Sequence, residues 1–69
     1  MKSSTAEILR EALRERHSNE SFEKSLGRAV RKHQGTFRDY VEVIGHVRER
    51  AGKDKSSLPE AAKALTVET

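Results

Sequence analysis

The stretch TFRDYVEVIGHVRERAG, residues 36–52, is the most clearly amphipathic part of the chain. Its apolar residues recur at the spacing of an α-helix, in which successive residues lie about 100° apart around the axis. These residues are Phe37, Tyr40, Val41, Ile44, Val47 and Ala51. The pattern predicts a helix over 36–51 that turns one face to a core, begins with Thr36 and Asp39 as a capping pair, and ends at Gly52.

Capping signals on both sides of this stretch predict three further helices. Ser4 with Glu7, and Ser57 with Glu60, have the three-residue spacing of a capping box. The predicted helices lie near 4–17, 20–34, 36–51 and 57–66. The sequence therefore predicts an all-α fold, a compact bundle of three to four short helices in a single domain over 1–69, which dimerisation can complete.

The second helix has two candidate cap residues and an internal glycine. Asn19 or Ser21 can cap its beginning, and Gly35 suits the left-handed conformation that often ends a helix. Gly27 inside this helix, and Gly45 inside the third, each cost about 1 kcal/mol relative to Ala. Either glycine can mark a place where two helices pack closely.

Composition limits what the chain can build. Of its 69 residues 33% are hydrophobic and 36% are charged, so the core is minimal. Cysteine is absent, which excludes disulfides and thiolate metal sites and leaves self-association as the remaining means of stabilisation. No run approaches the ~20 apolar residues of a membrane span, and no charged-then-apolar segment opens the chain. We expect a cytoplasmic protein with no membrane partner.

The stretch KSLGRAVRKHQGTFR, residues 24–38, carries five Lys and Arg residues and no Asp or Glu. Four of these residues share one side of the second helix and the fifth follows the turn: Lys24, Arg28, Arg31, Lys32 and Arg38. Phosphates favour such a ridge because each cation that neutralises a phosphate releases a condensed counterion. The alternative is that these cations are only the solvated face of an ordinary surface helix.

The preferred interpretation is a small nucleic-acid-associated regulator that binds duplex DNA or RNA, as a homodimer. The second and third helices, joined at Gly35 and Thr36, can form a helix-turn-helix unit. In that hypothesis the second helix lies on phosphates, while Arg38 and the beginning of the third helix approach the bases. Recognition of single strands by aromatic stacking is disfavoured, because helical spacing places Tyr40 in the core.

A second interpretation is a helical protein–protein interaction module, such as an adaptor, an antitoxin-like partner or an assembly factor. Its interface would be the apolar stripe of the third helix: Phe37, Tyr40, Val41, Ile44 and Val47. The same stripe can instead be the core of the monomer.

Catalytic chemistry finds no support in the sequence. His17, His33 and His46 lie on separate segments, without the i, i+4 pairing of a helical metal site. Most Glu residues stand three or four positions from Lys or Arg, as in Glu20 with Lys24, a spacing that stabilises helices. We expect no enzyme, no cofactor, no metal and no small-molecule substrate.

Overall fold

The computed structural model describes residues 4–67, and within this range the fold is all-helical. Four helices follow one another: α1 Thr5–Arg14, α2 Phe22–Lys32, α3 Phe37–Asp54 and α4 Leu58–Val67. Each packs against two others, since α1 contacts α2 and α4, and α3 contacts α4 and α2. The predicted all-α bundle is confirmed, with four helices in the described part of the chain. Across these residues no helix is both long and apolar enough to cross a bilayer.

The helices begin where hydroxyl side chains can accept backbone N–H groups. The Oγ of Ser4 accepts from Glu7, and the Oγ of Ser21 accepts from Lys24. At α3 the capping box is complete, because Asp39 also accepts the backbone N–H of Thr36 at 2.7 Å. Ser57 and Glu60 form the same reciprocal pair before α4.

Two helix ends differ from the prediction. The left-handed residue after α2 is Gln34, with φ 60°, and not Gly35. The N–H of Gly35 then reaches the carbonyl of Val30 at 2.8 Å, which is the bond of a Schellman motif. Helix α3 also passes Gly52, which was predicted to end it, and stops only where Lys55 adopts φ 52°.

The core lies between the four helices and is built from small and medium side chains. Its buried large residues are Ile8, Leu9, Phe22, Leu26, Val30, Val43, Ile44 and Val47. Two polar residues are buried with them. Ser25 donates its hydroxyl to the carbonyl of Ala12 at 2.7 Å, and Glu11 is 7% exposed. Since a buried carbonyl near a helix end needs a donor, Ser25 links the end of α1 to α2.

Candidate functional site

The cations of α2 lie on two flanks of the helix, and one flank is neutralised by carboxylates. Arg28 donates to both carboxylate oxygens of Glu20, at 2.6 and 2.9 Å, and to the carbonyl of Glu15 at 3.1 Å. These hydrogen bonds lower the pKa of Glu20 to about 2 and raise the pKa of Arg28. Arg28 therefore fastens α2 to the connection that precedes it.

Lys32 belongs to the same neutralised flank. Its Nζ lies 2.8 Å from Oε1 of Glu15 and 3.8 Å from Oε1 of Glu11. The hydrogen bond to Glu15 raises the pKa of Lys32. Burial raises the pKa of Glu11, but the hydrogen bond from Arg14 at 2.8 Å and nearby cations outweigh it and lower that pKa overall.

The predicted open ridge along α2 is therefore wrong for Arg28 and Lys32. Spacing along a helix suggested that Glu20 would pair with Lys24, but Glu20 precedes the cap residue Ser21 and lies outside the helix. From there it reaches Arg28, eight residues on. Carboxylates from the end of α1 and from the connection thus fold back over one flank of α2.

The other flank of α2 stays open. Lys24 and Arg31 are exposed, and within residues 4–67 neither forms an ion pair with a carboxylate. Arg38 is also exposed, at the start of α3, beside the carboxylate of Asp39. The pKa of Asp39 is lowered first by the N–H of Thr36, with Arg38 contributing. Of the five predicted cations, Lys24, Arg31 and Arg38 form no ion pair within residues 4–67, and Lys24 and Arg31 stand together on α2.

A groove of about 550 Å³ separates this open flank from the beginning of α3. Its walls carry cations on one side and aromatic rings on the other. The lining residues are Lys24, Gly27, Arg28, Val30, Arg31, Gly35, Thr36, Phe37 and Tyr40. The sequence placed the cations near this turn, but it did not indicate that they share a concave surface with aromatic residues.

The sequence pattern misplaced two side chains of α3: Val41, which is 49% exposed, and Phe37. Phe37 was predicted to face the core, but it is 78% exposed. Its ring centroid lies 6.0 Å from that of Tyr40, with the two planes inclined at 33°. Tyr40 is only partly buried. The physical reason is direction around the helix. At about 100° per residue, the centre of the buried residues of α3 lies about 65° from Phe37 and about 105° from Val41, so both side chains stand at the edge of the buried face.

Gly27 forms part of the groove lining, on α2. A Cβ built at this position meets nothing within 4 Å, so close packing of two helices does not explain the glycine. The same holds for Gly45, which is exposed on α3 and does not line the groove. Gly27 leaves the backbone of α2 accessible between the cationic and aromatic walls.

The predicted protein interface divides into core and surface. Ile44 and Val47 are 3% and 0% exposed and pack in the monomer's own core. They are therefore closed to a partner. Phe37 and Val41, the latter 49% exposed, remain on the surface with part of Tyr40. Val43, which the predicted stripe left out, is buried.

A second depression, of about 520 Å³, lies where α1, α3 and α4 meet. Glu49 stands there beside Arg50 and Lys53, and Arg50 donates to Asp54 at 2.6 Å. This lining mixes both signs of charge. Residues 4–67 contain no cluster of three His, Asp or Glu side chains suited to a metal ion. The groove between α2 and α3 is therefore the candidate site.

No protein-family profile, curated protein or solved structure matches the chain.

Proposed function

We propose that this protein binds nucleic acid without catalysis and contacts the phosphate backbone at the groove between α2 and α3. The observation that carries the proposal is the open pair Lys24 and Arg31, which no carboxylate of the described chain neutralises, on the wall of a concave surface. Arg38, at the start of α3, is exposed as well but does not line the groove.

The separation of the cations into two sets supports this assignment. Pairing with carboxylates does not account for Lys24 and Arg31, which line the groove without a carboxylate partner in residues 4–67. Arg28 and Lys32 already supply the ion pairs to the α1 side. A polymer of phosphates fits the remaining pair, because counterion release makes each contact favourable at moderate salt. Guanidinium groups also bind phosphate bidentately.

The test is binding of labelled single-stranded and duplex oligonucleotides, followed by fluorescence anisotropy at two salt concentrations. Lys24→Glu should weaken binding to either form. The matched variant Lys63→Glu changes the charge equally at an exposed position on α4 and should bind as the wild type does. Absence of binding at low micromolar protein, or equal losses in both variants, would remove the proposal.

A protein partner is the second candidate function, favoured by the exposed apolar side chains of Phe37 and Val41. They are four residues apart and so lie on one side of α3. Under this hypothesis a second copy or another helix covers them, and Val41→Asp abolishes that association in light scattering. A strictly monomeric wild type that captures no partner would eliminate it. The homodimer, the regulatory role and the cytoplasmic location remain predictions from the sequence.

A further inference from the structure

We infer that the groove between α2 and α3 takes a single nucleic-acid strand, with one base stacked on Phe37 and the flanking phosphates on Lys24 and Arg31. This inference rests on the proposed function and narrows it to one kind of nucleic acid. It reverses the expectation from sequence, which disfavoured single strands because no aromatic ring was predicted to be accessible.

The exposed ring of Phe37 is the first argument. A phenylalanine that is 78% exposed contributes little to the core, and its apolar surface stands in water. The neighbouring ring of Tyr40, 6.0 Å away, supports it from one side. Phe37 therefore offers an aromatic face to a ligand. Any base can stack on such a face, since every base is aromatic.

Charge complementarity selects the ligand. The residues that line the groove with Phe37 include no Asp or Glu. Of the three cations in the lining, Arg28 is paired with Glu20, whereas Lys24 and Arg31 have no carboxylate partner in residues 4–67. An apolar helix from another protein would gain nothing from these cations. A nucleotide strand places an anionic phosphate next to each planar base, which matches a wall of cations facing a wall of rings. An acidic peptide also carries negative charge, but it has no aromatic base next to each charged group.

Access favours a single strand over a duplex. In a duplex the bases are stacked on one another and paired, so a ring at the side of a groove reaches only their edges. A single strand can turn a base out onto the ring while its phosphates lie along the helix. The backbone at Gly27, between the two walls, has no side chain to obstruct the strand.

The experiment compares three labelled ligands of the same length: an oligothymidine, an abasic strand with the same phosphates, and a duplex. The wild type should bind the oligothymidine more tightly than the other two. Phe37→Ala should weaken oligothymidine binding about 5- to 100-fold and leave binding to the abasic strand unchanged. Phe37→Trp should restore the preference, and Phe37→Leu, which keeps an apolar side chain, should not.

Val41→Ala is the matched control, because Val41 is also an exposed apolar residue of α3 but does not line the groove. Its binding should equal that of the wild type. Equal affinities for oligothymidine and abasic strand, or a duplex bound as tightly as the single strand, would overturn the inference while leaving the proposed phosphate contacts intact. A fourth ligand, polyglutamate, tests for an acidic partner: if it binds tightly and neither strand does, the groove belongs to an acidic protein and the inference is wrong. If the wild type shows no salt-dependent binding to any of the nucleic acids, the proposed function itself is wrong.

Discussion

Arg28 and Arg31 stand three residues apart on α2. We predict that Arg28 stabilises the fold and that Arg31 binds nucleic acid. Arg31→Gln removes a cation that has no carboxylate partner in the described chain. The comparison variant combines Arg28→Gln with Glu20→Gln, which removes an ion pair and leaves the net charge unchanged. The first variant should lose nucleic-acid affinity and keep its stability. The second should lose stability and keep its affinity.

The expected change in binding follows from counting phosphate contacts. Each phosphate that a cation neutralises on a single strand contributes about 0.7 to the slope of log K against log salt. Lys24 and Arg31 together should give a slope of about −1.4, and Arg38 brings it to about −2 if it also contacts a phosphate. Arg31→Gln should therefore reduce the magnitude of the slope by ~0.7. The double variant should leave the slope unchanged, because Arg28 is already occupied by Glu20.

Anisotropy titrations of a labelled oligothymidine at four salt concentrations give the slopes, and circular dichroism melts give the stabilities. The double variant should melt at a lower temperature, since it loses the two hydrogen bonds between Arg28 and Glu20 and the contact with the carbonyl of Glu15. A double variant that reduces the slope as much as Arg31→Gln does would refute the reasoning. So would an Arg31→Gln variant that melts as early as the double variant.

Three further predictions concern the linkage of α1 to α2, acid stability and the groove lining. Ser25→Ala leaves the carbonyl of Ala12 without its 2.7 Å donor and should lower the free energy of unfolding by about 1–3 kcal/mol in urea titrations, with an unchanged midpoint counting against the link. The pKa of Glu20 is held at about 2, against an ordinary 4.5, so its ionised form contributes stability that is complete above pH 4.5 and is lost as the pH falls through 2. Between pH 4.5 and pH 2 the urea midpoint should therefore drop more steeply in the wild type than in Glu20→Gln. Parallel profiles of the two proteins would contradict this. Gly27→Gln and Gly45→Gln should each stabilise its helix by about 0.5–1 kcal/mol. Only the change at Gly27, which lines the groove, should weaken strand binding. Equal binding by the two variants would show that the strand does not use the groove.

Helix type and helix beginnings were predictable from the sequence because both depend on local chemistry. Hydroxyl residues before amphipathic runs located the starts, and Ser4, Ser21 and Thr36 are the caps found. The ends were less predictable. A left-handed residue is favoured at glycine but not restricted to it, and Gln34 and Lys55 take that role.

Two features of the candidate site could not be predicted from the sequence. Helical period gave an apolar stripe on α3, but the face that the neighbouring helices cover is centred nearer Val43 and Val47, so Phe37 was wrongly assigned to the core. The three- or four-residue spacing predicts ion pairs only within one helix. It could not predict that Glu20, in the connection before α2, pairs with Arg28. The open flank with Lys24 and Arg31 was predicted correctly as a surface, whereas its separation from Lys32 required the three-dimensional arrangement.

The most direct test of the account is a map of the backbone amide shifts that change when an oligothymidine is titrated into the ¹⁵N-labelled protein at low salt. We predict that the largest changes follow the groove, at Lys24, Gly27 and Arg31 on α2 and at Thr36 and Phe37 where α3 begins, and that added salt reverses them. Largest changes at the mixed-charge depression around His46 and Glu49, or changes that persist at high salt, would contradict it.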